Sequence, residues 1–426
     1  MTRPKVVIIG GGFAGIAAAR VLRRAAVDVV LIDRTNHHVF QPLLYQVAVA
    51  TLAPSDIAVP IRWILRKHGN TRVEMGEVTG IDVAERRVEV DHGARVESYD
   101  FLIVAAGARH AYFGHGEWEA LAPGLKSLED AVDIRRRFLE SFERAETARP
   151  GEEREAFQTT VIVGGGPTGV ELAGLMATIA RDVMPGEFRN IDTRKTRVLL
   201  LEGGPRILPA FPERLSDQAL QDIRELGVEV RLHSIVTRVE AGAVFVGDER
   251  IATRSVFWAA GNAASPLGAM LGAPLDRAGR VEVGADLSIP GHPEVFVVGD
   301  LAAVMRDDGQ PVPGVAPAAN QEGACAGRNV LHSIRRQPRE EFGYFNKGDL
   351  ATIGRHRAVA AFGKLQFTGV LAWLLWLFVH IAYLVGFRNR LTVLIQWSWA
   401  YFAYQRGSRL ILGGTAREEV AFQDSR

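Results

Sequence analysis

The 426-residue chain contains a single cysteine, Cys325. An intramolecular disulfide is therefore excluded, stability does not depend on an oxidising compartment, and chemistry that needs a thiol pair within one chain is ruled out. Cys325 lies in Ala324-Cys-Ala326 and reads as a small buried residue. Charge of one sign is missing as well. Fifty Lys and Arg face 49 Asp and Glu, a formal net charge of +1, so nothing global points to nucleic acid as a partner. No Cys/His/Asp group has metal-ligand spacing, and the adjacent His37 and His38 point different ways, so no metal is expected. Lys5 to Ile9 reads as a buried strand running into glycines, which leaves no secretory signal and makes a cytosol-facing protein the expectation. With 47% hydrophobic and 23% charged residues, the chain is globular and long enough for two or three domains.

Glycine is abundant, at 44 residues, and it clusters after apolar runs. Lys5-Val-Val-Ile-Ile runs into Gly10-Gly-Gly12-Phe13-Ala14-Gly15, an Ala-rich helix follows over 16–24, and a second strand, 27–32, ends on Asp33. This is the dinucleotide fingerprint G-x-G-x-x-G with its acid about 20 residues on. Gly10 makes the tight turn, Gly12 lets backbone approach a pyrophosphate, and Gly15 lets helix and strand pack closely. The helix N-terminus offers N–H groups to phosphate, and Asp33 can accept from a ribose. The pattern then repeats. A strand over 159–163 leads into Gly164-Gly-Gly166-Pro-Thr-Gly169, a helix over 170–181, and a strand over 197–201 that ends on Glu202. The late acid implies an insertion at about 182–196, with Met184-Pro185-Gly186 as a turn. Two fingerprints imply two dinucleotides, most simply FAD and a nicotinamide. The charge of Glu202 favours NADH over NADPH, although Arg206 stands close in sequence.

On these motifs the chain resembles the two-dinucleotide-binding flavoproteins. Tyr99 to Gly107 and Val256 to Gly261 look like their crossover segments, and Val295 to Asp300 looks like their late FAD motif. His37 to Gln46, Gly164 to Gly174, Asp349 to Arg355 and Phe387 to Leu391 are more discriminating. They resemble the type II NADH dehydrogenases, single-subunit NADH:quinone oxidoreductases that do not pump protons. Disulfide reductases and sulfide:quinone oxidoreductases use paired cysteines, which this chain lacks.

The resemblance implies an α/β fold of two Rossmann-like domains, the NAD domain inserted into the FAD domain, and a C-terminal apolar helical membrane-binding segment. The corresponding boundaries are 1–118 and 280–362 for FAD, 119–279 for NADH and 363–426 for the membrane. Cofactor contacts are expected from Gly10, Gly12, Phe13, Ala14, Gly15, Asp33, Arg34, His38, Val78, Ala106, Gly107, Gly164, Gly166, Gly169, Glu202, Ala260, Gly261, Gly299, Asp300, Ala316, Pro317 and Lys364. Glu171, read as standing in the first turn of its helix, is expected to act near nicotinamide and flavin; alternatively it only complements the helix dipole. Gln321 matches the second of two glutamines that border the quinone in this family, while Pro317 replaces the first. Lys364 either lies near the flavin or snorkels at an interface.

The C-terminal stretch is different in character. Phe367 to Phe387 runs 21 residues with no charged side chain apart from His380, and Leu391 to Tyr404 is a second apolar run. Trp373, Trp376, Trp397 and Trp399 are four of the seven tryptophans, beside Tyr383, Tyr401 and Tyr404. Lys364 to Leu412 carries five Lys and Arg and no Asp or Glu. A span would strand Arg388, Arg390, Arg406 and Arg409 on the far side, so two helices lying in one leaflet of the cytoplasmic face are expected. A homodimer surface is the other reading of the same apolar face. The competing functions are an NADH-dependent flavin reductase serving a protein such as a ferredoxin, and a flavin-binding interaction protein switched by NADH.

Overall fold

The computed structural model describes residues 3–306, 308–384, 391–395, 397 and 409–411. It resolves into two compact units, each assembled from separate stretches of chain. Unit 1 comprises 1–42, 57–111 and 261–349, and unit 2 comprises 43–56, 112–260 and 350–426.

In unit 1 the strand Lys5–Ile9 is the centre of a six-stranded sheet. Parallel neighbours are Asp28–Asp33 and then Thr71–Met75 on one side, and Phe101–Val104 and then His292–Val297 on the other. Ser288–Ile289 closes that edge antiparallel. The strands read as continuous β-branched runs because both faces are covered, as a parallel sheet requires. The helix Phe13–Leu22 lies against the long helix Ala316–Ile334. A Cβ on Gly323 would sit 2.0 Å from the Ala14 carbonyl oxygen, so the two helices meet backbone to backbone.

Unit 2 repeats the plan. Thr159–Val163 is flanked in parallel by Arg197–Leu201, with Val228–Arg231 beyond it, and by Ser255–Trp258. Each unit also carries a three-stranded antiparallel meander between its third and fourth strands, over 78–98 in unit 1 and 236–252 in unit 2. The strand order 3-2-1-4 with the meander in the same place makes the two units copies of one design. Sequence patterning found the fingerprints of both copies but not their meanders.

The compact units divide the chain differently from the sequence boundaries. Residues 261–264 lie in unit 1 because Asn262–Ala264 pairs antiparallel with Ala108–His110. Residues 350–362 lie in unit 2, in a sheet of Asp349–Gly354, Arg357–Phe362 and Leu365–Thr368. The short helix Leu44–Ala48 also belongs to unit 2, where it packs on the helices Leu128–Thr147 and Pro167–Thr178.

The charge-free stretch is not one helix. Phe367 and Thr368 complete a strand, and the helix runs from Gly369 to Tyr383. Its 15 residues extend about 22 Å, short of a hydrocarbon core of about 30 Å. Among the described residues no helix is long and apolar enough to cross a membrane. Arg388, Arg390, Trp399, Tyr401, Tyr404 and Arg406 lie outside the described residues.

Candidate functional site: two nucleotide cradles and a buried carboxyl

The two glycine loops are built alike. Gly10 has φ +102° and Gly164 φ +109°, a region open to glycine and closed to most side chains. Each backs onto the small-residue end of the neighbouring strand. A Cβ on Gly10 would lie 2.4 Å from Ala105 O, and one on Gly164 would lie 2.5 Å from Ala259 O. A Cβ on Gly15 or Gly169 would lie 1.9 Å from the carbonyl oxygen of Gly10 or Gly164, so both helices cross their own loop too closely for any side chain.

Gly12 and Gly166 differ from these four. A Cβ at either would meet nothing within 4 Å. Both residues are helix N-caps without a side-chain hydrogen bond, so the first N–H groups of the helices Phe13–Leu22 and Pro167–Thr178 have no side-chain cap. The contrast is with the helix Leu128–Thr147, whose Ser127 and Asp130 form a complete capping box. An uncapped helix start facing open space fits an anionic pyrophosphate.

The acids at the strand ends hold the loops. Asp33 accepts from Gly11 N at 2.6 Å and from Thr35 N at 2.7 Å, and Glu202 accepts from Gly165 N and Gly204 N, both at 2.6 Å. Each carboxylate thus fixes the glycine turn while keeping lone pairs for a ribose. Arg206 gives a guanidinium N–H to Pro209 O at 2.8 Å.

Further residues named from sequence gather around the first loop. His38 is buried, with Nδ1 3.0 Å from Gly11 O, and Phe13 meets its ring edge-on at 4.9 Å. His37 turns instead to Asn36, 3.0 Å away. Gly299 and Asp300 follow the strand His292–Val297, and a Cβ on Gly314 would lie 3.3 Å from Asp300 Oδ1. Ala316 and Pro317 open the helix Ala316–Ile334, and Pro317 is tolerated there because first-turn N–H groups have no intrahelical acceptor. Val78 is buried at the start of the meander, Ala106 and Gly107 continue the strand Phe101–Val104, and Arg34 is exposed. Ala260, at the end of a stretch of unit 2, and Gly261, at the start of the last stretch of unit 1, follow Ser255–Trp258 in the same way. Lys364 is exposed in the two-residue turn between Arg357–Phe362 and Leu365–Thr368.

One residue, Glu171, stands elsewhere than its sequence reading placed it. Glu171 is not in the first helical turn, since the helix begins at Pro167, and it is buried. Dipole complementarity therefore does not account for it. Burial pushes its carboxyl well above the ordinary range, opposed only by a long contact from Thr352 N at 3.4 Å. Gln321 is committed to the backbone. It accepts from Phe345 N and donates to Phe345 O, both at 3.0 Å, and also reaches Pro317 O at 3.1 Å. A primary amide matches the donor and acceptor of a peptide unit, which is why Gln321 acts here as a clamp on an extended segment.

Sequence reasoning missed Glu322. Its carboxyl is 3% exposed and accepts from Gly299 N at 2.5 Å. Burial pushes it up to about 7, against the Gly299 hydrogen bond. The signal was present, since Glu322 falls on the same helical face as the buried Ala318, Ala319, Cys325 and Ala326. Cys325 is buried as read, with its thiol pushed up to about 11 by burial.

Among the described cations of the tail, Arg409 has an acidic partner. Arg409 is hydrogen-bonded to Glu187, an acid far away in sequence.

Comparison with known proteins places this geometry. Residues 4–323 match the pyridine nucleotide-disulphide oxidoreductase family, and residues 346–404 match the NDH2 C-terminal domain. The type II NADH:quinone oxidoreductase Ndh of Mycobacterium tuberculosis is 45% identical over 96% of this chain and 90% of its own length. A Haemophilus influenzae type II NADH:quinone oxidoreductase is 29% identical over 85% of this chain and 89% of its own. Among solved structures, NDH2 of Plasmodium falciparum in complex with NADH superposes with a TM-score of 0.87 at 19% identity, over 96% of this chain and all of that one. The sulfide:quinone oxidoreductase of Aquifex aeolicus superposes at 0.71 and 18% identity, over 99% and 95% of the two chains.

Proposed function

The chain belongs to the type II NADH:quinone oxidoreductases, and from that membership we propose how its residues divide the work of moving two electrons from NADH to a quinone without pumping protons. Unit 1 holds FAD, with the pyrophosphate on the open side of Gly12 and a ribose on Asp33. Asp300, on the turn fixed by Glu322, would help hold the remainder of the cofactor. When bound, FAD supplies the two-electron acceptor between NADH and quinone. Unit 2 holds NADH at Gly166 in the same way, and the charge of Glu202 disfavours a 2′-phosphate.

Quinone reduction to quinol takes two electrons and two protons. Glu171 is the residue of unit 2 suited to hold one of those protons, because burial keeps its carboxyl protonated where an exposed carboxylate would be ionised. That elevation is the observation that carries its role. Stopped-flow re-oxidation of the NADH-reduced enzyme by a short-chain quinone tests it. Glu171→Gln should slow this step about tenfold with FAD content unchanged, and a wild-type rate would remove Glu171 from the chemistry.

Type II enzymes are membrane-associated, and the helix Gly369–Tyr383 has a surface suited to it. Ala372 and Trp376 are buried against the protein, while Leu371 and Leu374 on the other side are about half exposed and Phe378 is 71% exposed. We infer that this stripe lies in one leaflet of the cytoplasmic face, where it meets the lipid that carries a long-tailed quinone. Leu374→Ser with Phe378→Ser should cut vesicle binding more than tenfold and leave short-chain quinone reduction in place. If instead the pair of changes halves the mass in solution and spares vesicle binding, the stripe is a homodimer surface.

A further inference from the structure

Several exposed arginines of unit 1 face an acid. Arg72 meets Glu74 and Glu97, Arg86 meets Glu294, and Arg95 meets Asp91. One surface of the same unit departs from that rule. Arg20, Arg23 and Arg24 stand at the end of the helix Phe13–Leu22, and Arg62, Arg66 and Lys67 stand on and just after the short helix Ile61–Leu65. All six are exposed, and among the described residues none of them is in an ion pair with an acid. The sequence provides none nearby, because neither 10–27 nor 57–73 contains an Asp or Glu.

The two segments are tied together. Arg23 Nε donates to Lys67 O at 3.2 Å, and Asn70 Nδ2 donates to the carbonyls of Leu22, Ala25 and Val27 at 2.9, 3.2 and 3.1 Å. Trp63 stands among the cations, 48% exposed. The Arg66 guanidinium lies 3.9 Å from the centre of its ring and donates to Trp63 O at 2.6 Å. His68, buried beside them, is pushed down by burial and then by Arg23 and Arg20. Complementing a helix C-terminus would account for the three arginines of the first segment. Asn70 already takes carbonyls there, however, and that reading does not extend to Arg62, Arg66 and Lys67. Like charges held together repel, and an anionic partner relieves them. An exposed tryptophan ringed by cations is the composition of a headgroup contact, with the indole at the interface and the cations on lipid phosphates. A small soluble anion would give the indole no apolar surroundings.

We propose that this face of unit 1 is a lipid contact in its own right, binding the phosphates of an anionic bilayer through the six cations and seating Trp63 at headgroup level. It is made by other residues than the apolar stripe of Gly369–Tyr383, and it stands or falls without that stripe.

The test uses the FAD-loaded full chain and co-sedimentation with phosphatidylcholine vesicles, with and without phosphatidylglycerol. The ratio of the two affinities reads the anionic contact. In wild type phosphatidylglycerol should strengthen binding, and high salt should shrink the ratio. Arg62→Gln with Arg66→Gln and Lys67→Gln should lower the ratio about tenfold at unchanged flavin content, and Lys in place of Arg62 and Arg66 should keep it. Trp63→Ser should weaken binding to both kinds of vesicle. Arg197→Gln with Arg238→Gln and Arg250→Gln removes the same net charge from cations of unit 2 that face glutamates, and should leave the ratio in place. Equal losses in the two triple variants would mean that net charge alone drives adsorption, and would overturn the proposal. So would an unchanged ratio in the Arg62, Arg66 and Lys67 variant, which would leave the patch to an acidic protein. The ratio should persist in the Leu374→Ser, Phe378→Ser variant, and its disappearance there would assign the anionic contact to the tail and likewise overturn it.

Discussion

Among the described residues each unit buries one glutamate, and the two carboxyls are treated differently. Glu322 in unit 1 takes a 2.5 Å hydrogen bond from Gly299 N and so fixes the turn that carries Asp300. Glu171 in unit 2 has only a 3.4 Å contact from Thr352 N. The same residue type, lifted by burial in both units, is well hydrogen-bonded in one and poorly in the other, and the proton-holding role proposed for Glu171 rests on that contrast. The glycine loops beside these carboxyls are nearly superimposable in their angles and close approaches. The two units therefore differ in the carboxyl deeper along the helices more than in the fingerprint.

The strongest way to break the comparison is at the open glycines. Gly12→Val meets no protein atom, so the fold should persist while flavin content drops from about one per chain to near zero. Absorbance at 450 nm beside far-UV circular dichroism reads both, and full flavin content in the folded variant would refute the first cradle. Gly166→Val should leave flavin in place and lower kcat/KM for NADH by about a hundredfold. Flavin loss from that variant would mean the two units had been assigned in the wrong order.

The buried carboxyls come next. The Glu322 pKa is raised in the folded state, to about 7, so its contribution is fully present below the unfolded value and is lost as pH rises from about 4.5 through about 7. The loss amounts to roughly 3 kcal/mol by pH 8. Denaturant titrations should show the difference in stability between wild type and Glu322→Gln changing over that window and nowhere else. A constant difference from pH 4 to 8 would mean that folding does not raise the Glu322 pKa.

Smaller effects sharpen the unit 2 side. NADH should exceed NADPH in kcat/KM by tenfold or more, about 1.4 kcal/mol, and Glu202→Gln should narrow the gap. Equal use of both donors by wild type would show that Glu202 serves only its loop. Least of all, Arg409→Gln should change binding to anionic vesicles by less than the ~1 kcal/mol of a free surface cation, because Glu187 already holds its charge. A full-sized loss in co-sedimentation would mean that the pair opens at the membrane.

What the sequence determined by itself is local: a β-branched strand, a turn that only glycine can make, a helix start, and an acid at the next strand end. Those residues lie within 29 positions in the first cradle, Lys5 to Asp33, and within 44 in the second, Thr159 to Glu202, so local sterics and spacing encode both cradles, and the single cysteine excludes thiol-pair chemistry. What only the tertiary structure decided joins residues far apart in the chain. Glu171 meets Thr352, Gln321 spends its amide on Phe345, Arg409 finds Glu187, and Trp397 reaches Gln46. Periodicity says which face of a helix is apolar, but burial of a carboxyl and the partner of an amide depend on what another segment brings against that face. That is why the cofactor loops were legible and the environments of the two buried carboxyls were not.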